Sequence, residues 1–357
     1  MQEYYILSIN PGSTSTKIAV YAGIQPVLVR NVSHSSEDLA TFTNLTEQYH
    51  YRKNIIYREL EEAQIPMDLI RAVVGRGGLL RPIPSGVYKV NEKMKADLRN
   101  SPMGEHASNL GGLIADDIAR SLPDAKAYIA DPVVVDELQD VARVAGHPDF
   151  KRVSIFHALN QKAVARSHAI SLLRKYEELN LIVVHLGGGI TIGAHQKGKV
   201  IDVNQGLDGE GPFSPERSGT LPSGDLIRAC FSGKYTEKQL LKMVLGEGGF
   251  VAHLGTNSAW EVEQRMKAGD THATFIFDAM AYQVSKYIGA MFTVLHCQCD
   301  GILITGGIAK CSWFVNRIME RVHRLAPIFV YPGEDEMRAL AINGLMVLKG
   351  EVEPLDY

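Results

Sequence analysis

Cysteine and long apolar runs are both scarce in this 357-residue chain. Only four cysteines occur, which favours a reducing compartment over a disulfide-bonded secreted protein. No stretch approaches the about 18 consecutive apolar residues of a membrane helix, and the first residues lack the basic segment and cleavage site of a signal peptide. We therefore expect a cytoplasmic protein with no membrane partner.

Strong net charge is also missing. The formal net charge is -3 and the chain has no basic run, which argues against nucleic acid as a partner. A small anionic ligand would instead be bound by a few local cations. The length is enough for two or three domains.

Several familiar catalytic motifs are absent. The chain has no G-x-S-x-G elbow, no G-x-G-x-x-G fingerprint and no protein-kinase set. Residues 193–199 have Walker A spacing, but Val200 follows where Ser or Thr must bind magnesium, and the segment joins two predicted strands. Cys297 and Cys299 lack the second ligand pair of a zinc site, so they are metal ligands or, as we favour, buried structural thiols.

A predicted hairpin near the start of the chain carries an unusually polar turn. Residues 5–9 and 18–21 are apolar and rich in β-branched and aromatic side chains, which predicts two strands. Between them lie hydroxyls, an amide, a glycine and a cation, which suit an anionic phosphate. An ordinary polar turn would have a similar composition. The turn is Asn10-Pro11-Gly12-Ser13-Thr14-Ser15-Thr16-Lys17.

The same pattern recurs in the second half of the chain. Strands are predicted over residues 181–186 and 190–194, with Gly187-Gly188-Gly189 as the turn. A third strand follows each hairpin, at residues 27–32 and 200–203. Two such units facing each other would form a cleft with a phosphate-binding turn on each wall.

Other loops carry candidate functional groups. Arg76-Gly77-Gly78 follows a predicted strand over residues 72–75, where the arginine either projects into a crevice or is solvated. Asp131 follows a strand over residues 127–130 and is either a helix N-cap before Pro132 or a displayed carboxylate. Gly306 and Gly307 follow an apolar strand and would let the backbone approach a flat ligand. Residues 204–222 have the composition of a shaped active-site loop.

The remaining pattern predicts an α/β protein of two domains. Helices are predicted over residues 36–64, 105–122, 158–179, 311–325 and 337–349, and further strands over residues 152–156 and 327–331. A break at residues 146–149 separates a first domain, residues 1–150 completed by the C-terminal segment 337–357, from a second, residues 151–336.

These motifs together resemble the butyrate kinases of the acetate kinase family, within the actin-like superfamily of phosphotransferases. The likeness covers essentially the whole chain in order. Its motifs are the turn at residues 10–17, Gly75-Arg76-Gly77-Gly78, His106-Ala107-Ser108-Asn109-Leu110-Gly111, Asp131-Pro132, Phe156-His157, His185-Leu186-Gly187-Gly188-Gly189, the loop at residues 209–219, Gly306-Gly307-Ile308 and Pro332-Gly333-Glu334-Asp335-Glu336.

The resemblance implies duplicated actin-like, ribonuclease H-like domains, each with a mixed five-stranded sheet, and ATP in the cleft between them. It implies reversible in-line transfer of the γ-phosphate to a short-chain fatty carboxylate, butyrate or a branched analogue, with Mg²⁺ as cofactor. The products would be an acyl phosphate and ADP. The resemblance also implies a homo-oligomer, at least a dimer.

The resemblance also implies roles for individual residues. The ATP-binding residues would be Asn10, Ser13, Ser15, Lys17, His185, Gly187, Gly188, Gly189, Gly306 and Gly307. The catalytic residues would be Arg76, Arg217, His157 and Asp131, and the substrate-binding residues Arg76, Arg217, His106 and Asn109. Asp131 and Glu336 would face the metal. Acetate kinases carry an arginine where this chain has Val73, so Arg76 would supply that group instead.

The chemistry of a carboxylate acceptor is consistent with this set. A fatty acid has a pKa near the Glu value of about 4.3, so it is already a nucleophile at neutral pH and needs no general base. Positioning and charge neutralisation remain, which arginines and magnesium supply. A sugar or polyol kinase would need a carboxylate base, which Asp131 could provide. A conformational ATPase of the same superfamily would leave Arg76 and Arg217 without a role.

Overall fold

The computed structural model describes residues 4–45 and 47–357. They group into two compact units. Unit 1 holds the chain up to Val135 together with Asp335–Tyr357, and unit 2 is Asp136–Glu334. The domain division stated from the sequence, at residues 150 and 336, stays a prediction.

Unit 1 is a mixed sheet with helices. Its strands are β1 (Tyr5–Pro11), β2 (Ser15–Ala22), β3 (Gln25–Ser33), β4 (Ile70–Arg76), β5 (Val87–Lys89) and β6 (Lys126–Ala130). Their order across the sheet is β3-β2-β1-β4-β6-β5. β1 pairs antiparallel with β2 and parallel with β4, and β4 pairs parallel with β6. The carboxyl ends of β1, β4 and β6 therefore lie at one edge, where the predicted polar loops begin.

In the part of the chain that the structure describes, four α-helices precede unit 2 and a fifth follows it. They are α1 (Ser36–Ala40), α2 (Gln48–Glu62), α3 (Glu92–Asn100), α4 (Asn109–Arg120) and α12 (Glu336–Leu348). The β1 and β4 side chains are almost entirely buried because α4 and α12 pack against both strands. The Ser8 hydroxyl on β1 donates to the Met337 carbonyl, which ties the last helix to the first strand.

Unit 2 repeats the arrangement. Its strands are β7 (Asn180–Leu186), β8 (Ile190–Gln196), β9 (Lys199–Val203), β10 (Gly301–Gly306) and β11 (Ile328–Pro332), in the order β11-β10-β7-β8-β9. β7, β8 and β9 form an antiparallel meander, as β1, β2 and β3 do, while β10 runs parallel to β7 and β11. The predicted α/β class with two mixed sheets is confirmed. Unit 1 has a sixth strand because the short β5 pairs with β6.

The helices of unit 2 cover its sheet. They are α5 (Ala158–Ser171), α6 (Ser223–Cys230), α7 (Glu237–Leu245), α8 (Gly249–Leu254), α9 (Ala259–Lys267), α10 (Thr271–Val294) and α11 (Ser312–Val322). The long α10 buries residues such as Phe277, Val284 and Ile288 against β8 and β7. Within the described ranges, no helix is long and apolar enough to cross a membrane.

Three predicted elements differ from the observed ones. The helix predicted over residues 36–64 is interrupted between α1 and α2, where Thr43 and Glu47 backbone groups bond to side chains instead of continuing the helix. Residues 152–156 are irregular rather than a strand. The helix predicted to reach Leu179 ends at Ser171, because Leu173 adopts a left-handed backbone with φ 55°.

Two further predictions concern boundaries. Pro132 does not begin a helix, and Asp131 before it has φ 38°. The α4 helix begins at Asn109, four residues later than predicted. Residues 223–294, for which no element is predicted from the sequence, contain helices α6 to α10.

Candidate active site

The first predicted phosphate turn joins β1 to β2 in unit 1. The strands stay paired to its base, with Asn10 opposite Lys17. The Gly12 N–H donates to the Ser15 carbonyl across the turn at 2.7 Å. Ser13 and Lys17 are exposed and Ser15 is half-buried, so the hydroxyls and the ammonium group are accessible to an anion.

Arg52 of α2 lies behind this turn and was not identified from the sequence. It is fully buried, and its guanidinium donates to the Ser15 carbonyl at 3.0 Å and the Ser13 carbonyl at 3.3 Å. Further bonds go to the Thr16 hydroxyl and the Gln48 amide oxygen. No carboxylate pairs with it in the described part of the chain. Burial lowers its pKa, yet an arginine stays protonated, so an uncompensated positive charge lies beneath the turn.

A second buried group supports the same strand. The His34 ring lies 2.8 Å from the Thr16 hydroxyl through Nε2, and its backbone N–H donates to the Thr14 carbonyl. Burial, with the nearby Arg52 charge, lowers the pKa of His34. A neutral His34 therefore adds no second cation beneath the turn.

Three predicted site residues of unit 1 come together at the ends of β1 and β4. Arg76 Nη1 donates to a Glu336 carboxylate oxygen at 3.1 Å and contacts Asn10 Oδ1 at 3.4 Å. The same Arg76 nitrogen is 3.1 Å from both carboxylate oxygens, and the Asn10 amide nitrogen donates to one of them, Glu336 Oε2. Asn10 and Glu336 are buried, while Arg76 is partly exposed. The triad presents a fixed guanidinium with an accessible face.

Glycine allows the close approach that holds Arg76. A Cβ on Gly75 would lie 2.3 Å from the Gly111 carbonyl oxygen, and one on Gly111 would lie 2.3 Å from the Arg76 carbonyl oxygen. The strand and the first turn of α4 are thus in backbone contact. Asn109 fixes the loop that follows, since its Oδ1 accepts from the Leu79 N–H at 2.8 Å.

The remaining unit 1 candidates have protein partners. Asn109 is buried, and its amide nitrogen donates to the Ser101 hydroxyl and the Gly104 carbonyl. His106 is exposed, with Nδ1 2.8 Å from the Ser108 hydroxyl. Asp131 is buried, and its Oδ1 accepts from the Ser85 hydroxyl at 2.6 Å and the Gly86 N–H at 3.0 Å. The substrate-binding roles of His106 and Asn109 stay predictions.

The second predicted phosphate turn joins β7 to β8 in unit 2. The Gly187 N–H donates to the Gly189 carbonyl. A Cβ on Gly187 would lie 2.9 Å from both the His185 ring and the Glu334 carboxylate. His185 Nε2 is 3.2 Å from Glu334, and its Nδ1 is 2.8 Å from Asn160 Oδ1. The bare glycine backbone therefore lies beside a histidine–carboxylate pair.

Arg217 lies against this turn. A Cβ on Gly189 would overlap the Arg217 guanidinium, and Nη1 donates to the Gly206 carbonyl. Its Nε atom is buried and has no hydrogen-bond partner among the described residues. Burial lowers the pKa of Arg217, and the nearby Glu216 charge opposes that effect. A buried donor without a partner is what an anionic ligand would satisfy.

The predicted active-site loop at residues 204–222 is anchored to the sheet. Arg152 bonds to Asp202 at 2.9 Å and to Glu210 at 3.0 Å, joining the end of β9 to the loop. The Ser214 hydroxyl donates to the Gly188 carbonyl at 2.6 Å and accepts from the Arg217 N–H at 3.1 Å. These bonds hold Arg217 at the glycine turn.

His157 lies next to the same turn. Its ring stacks on that of His185, with centroids 3.8 Å apart and planes 14° from parallel. Its Nδ1 is 3.0 Å from the Thr191 hydroxyl on β8. The structure thus brings three predicted side chains of unit 2, those of His157, His185 and Arg217, together around the predicted glycine turn.

The predicted nucleotide glycines follow β10. Gly306 has φ 95°, and a Cβ there would lie 2.3 Å from the Leu186 carbonyl oxygen. Gly306 and Gly333 exchange backbone hydrogen bonds of 3.2 and 2.8 Å. A Cβ on Gly307 would meet nothing within 4 Å, so this backbone is open to a flat ligand.

The metal prediction concerns Asp131 and Glu336. In the described part of the chain, no cluster of three or more His, Cys, Asp or Glu side chains could hold a metal ion. A magnesium ion carried by nucleotide phosphates needs only one or two protein carboxylates, since phosphate and water complete its shell. The two carboxylates fit that donor set.

Comparison with known proteins identifies the family. The acetokinase family model matches residues 151–329. The chain is 54% identical to butyrate kinase 2 of Clostridium acetobutylicum over 99% of both chains. The chain belongs to the acetokinase family. A probable butyrate kinase of Bacteroides thetaiotaomicron is also 54% identical, over 97% of this chain and 98% of that protein.

Solved structures of the family share the fold. The acetate kinase of Porphyromonas gingivalis superposes with a TM-score of 0.77 over 97% of this chain and 100% of that one, at 17% identity. A propionate kinase of Francisella tularensis gives 0.73 over 95% and 98%, at 21% identity. The acetokinase fold therefore persists where most side chains differ.

Proposed function

We propose that this acetokinase-family protein is an ATP-dependent butyrate kinase. It transfers the γ-phosphate of ATP reversibly to butyrate or a branched short-chain acid, giving an acyl phosphate and ADP. Full-length identity of 54% to a butyrate kinase carries the proposal. Sugar or polyol phosphorylation and conformational ATP hydrolysis are not favoured, because three full-length relatives are named butyrate kinases or probable butyrate kinases.

Unit 1 supplies the carboxylate site in this proposal. Glu336 and Asn10 both contact Nη1 of Arg76, and the described contacts of that guanidinium involve no other of its nitrogens. The rest of the planar fork is left to bind the acid bidentately. The neighbouring turn, with Asn10, Ser13, Ser15 and Lys17, binds the transferring phosphate, and the buried Arg52 charge favours an anion there.

Unit 2 supplies the nucleotide site and the charge that stabilises transfer. Gly187, Gly188 and Gly189 present their backbone to the phosphates, while Gly306 and Gly307 bind adenosine. Arg217 offsets charge on the equatorial oxygens of the phosphoryl group, and its unpartnered Nε supports that role. His157 donates a hydrogen bond to the same group, since the carboxylate nucleophile requires no base.

Asp131 and Glu336 would hold magnesium, which would neutralise charge on the nucleotide phosphates. We further propose that the protein works in the cytoplasm as a homo-oligomer of at least two copies. All four cysteines are free thiols, which suits a reducing compartment. Light scattering after gel filtration would test the oligomeric state.

The deciding experiment is to trap the product with hydroxylamine. Purified protein is incubated with ATP, magnesium and one of acetate, propionate, butyrate, isobutyrate or isovalerate, and hydroxamate is measured. We expect the most hydroxamate with a four- or five-carbon acid. No hydroxamate from any acid would overturn the proposal, and ATP hydrolysis without acid would point to the conformational ATPase.

A further inference from the structure

A chain of buried polar side chains runs inward from His157 in unit 2. It passes through the Thr191 hydroxyl, the Gln161 amide and the His195 ring to the Tyr176 hydroxyl. Thr191, Gln161 and His195 are fully buried, and Tyr176 is nearly so. We call this set the Thr191–Tyr176 relay.

The amide of Gln161 can adopt only one orientation. Its nitrogen is 3.1 Å from the Thr191 carbonyl oxygen, which is an acceptor only, and 2.8 Å from the Thr191 hydroxyl. Turning the amide over would place two carbonyl oxygens against each other. Gln161 Nε2 therefore donates to Thr191, and Gln161 Oε1 faces His195.

This orientation fixes the proton on His195. Its Nε2 is 2.9 Å from Gln161 Oε1 and must donate to it. Its Nδ1 is 2.6 Å from the Tyr176 hydroxyl, which donates to a neutral ring. Burial, with the charges of Lys162 and Arg166, lowers the pKa of His195 well below its usual value, which agrees with a neutral ring.

The hydrogen-bond partners of the Thr191 hydroxyl also determine which atom accepts its proton. Its oxygen already accepts from Gln161, and its own proton needs an acceptor because the side chain is fully buried. His157 Nδ1, at 3.0 Å, is the acceptor within the described contacts. If Nδ1 carried a proton instead, two donors would converge on one hydroxyl and the Thr191 proton would be left without a partner.

We propose that the Thr191–Tyr176 relay holds His157 in the tautomer with its proton on Nε2, so that Nε2 donates to the transferring phosphoryl group. The second half of this statement rests on the proposed function. Thr191 and Gln161 are positioning residues here, since they act through His157. Ring stacking on His185 fixes the plane of the ring, and the relay fixes its proton.

The tautomer can be measured directly. Protein labelled with ¹⁵N at histidine gives long-range proton–nitrogen spectra that distinguish protonated from unprotonated ring nitrogens. The signals of His157 are assigned as those lost in His157→Asn, because the chain has twelve histidines. We expect protonated Nε2 and unprotonated Nδ1 in the unliganded wild type.

Two variants break the relay at different points. Thr191→Val removes the hydroxyl with little change of shape, and Gln161→Met releases the Thr191 oxygen to accept from Nδ1–H. Both should give a mixture of tautomers and lower kcat on the order of 10-fold, with the KM for ATP nearly unchanged. Thr191→Ser should restore the wild-type spectrum and rate.

The matched control is Thr305→Val. Thr305 is a fully buried threonine in the same sheet, and its hydroxyl donates to the Gly333 carbonyl rather than to a histidine. The spectrum of Thr305→Val should show the wild-type tautomer of His157.

Three outcomes would contradict the proposal or one part of it. The tautomer assignment would be overturned if His157 in the wild type carried its proton on Nδ1, or if both relay variants kept the wild-type tautomer. Mixed tautomers with unchanged kcat would overturn its catalytic half, whereas a wild type that makes no acyl phosphate would overturn the proposed function and leave the tautomer result standing.

Discussion

At the scale of single residues, Arg217 combines burial, contact with the Gly189 backbone and an Nε without a partner in the described structure. We expect Arg217→Ala to lower kcat by roughly 10³-fold, as for other arginines that stabilise phosphoryl transfer. Hydroxamate assays at saturating substrates measure the effect. Arg228→Ala, which removes an exposed arginine paired with Asp225 on α6, is the control and should keep full activity. A near-normal kcat for Arg217→Ala would reject its role.

Arg52 gives a second prediction at this scale. Arg52→Met keeps an unbranched apolar stem but removes the donors to the Ser13 and Ser15 carbonyls and the charge beneath the turn. We expect the KM for ATP to rise about 10-fold, because each lost charged hydrogen bond contributes about 1.5–3 kcal/mol and part of that is recovered by water. Steady-state kinetics with varied ATP provide the test.

Arg58→Met is the matched control for Arg52. Arg58 lies on the same helix with its side chain largely exposed, and its ion pair with Glu62 is on the surface. Its KM for ATP should stay at the wild-type value. An equal rise in both variants would show that the charge of α2, rather than the buried contact with the turn, determines ATP binding.

At the scale of elements, strand β8 carries the buried, neutral His195. An unfolded chain binds a proton at this histidine below a pH of about 6.5, whereas the folded state resists it, so stability is full at neutral pH and falls as the pH decreases. Urea unfolding should show a loss of about 1 kcal/mol from this residue between pH 6.5 and 5.5. His195→Gln should reduce that loss, while His50→Gln, at an exposed site on α2, should not. Equal pH dependence in all three proteins would contradict the assignment.

The elements also show what sequence reasoning could reach. Five strands could be predicted because each consists of one continuous run of apolar, largely β-branched residues, and these runs are buried in the structure. They are β1, β2, β7, β8 and β10. The break between α1 and α2 could not be predicted, because it depends on hydrogen bonds from backbone N–H groups to side chains, and these bonds compete with helix formation. Residues 152–156 are irregular, and Arg152 at their start pairs with Asp202 and Glu210, which are partners that a local pattern cannot show.

The same limit applies to the site. Asn10, Arg76 and the glycine turns stand next to strand ends, which marks them in the sequence. Arg52 is not next to a strand end. It lies on a helix that also carries Lys53 and Arg58, and no local sequence feature distinguishes this buried arginine from its solvated neighbours. Thr191 and Gln161 are likewise ordinary strand and helix residues until the fold brings them to His157.

At the scale of the whole molecule, each unit has its own hydrophobic core. Leu340 on α12 is fully buried in unit 1, and Ile288 on α10 is fully buried in unit 2. Leu340→Ala should cost about 2–5 kcal/mol and increase hydrogen exchange mainly in β1 and β4. Ile288→Ala should instead affect β7 and β8. Exchange measured by mass spectrometry tests both, and identical patterns would mean that the units unfold together.

The packing of α12 against β1 and β4 has a consequence for synthesis on the ribosome. The first strands emerge early, yet the helix that covers them is translated only after the whole of Asp136–Glu334. At about 5–20 residues per second, that interval is roughly 10–40 s. During it, the apolar face of the first sheet lacks its last helix, and at its end unit 2 has its full sequence before α12 has been made. The nascent chain is therefore expected to complete its second unit before its first, and to need protection from aggregation at β1 and β4 until α12 arrives.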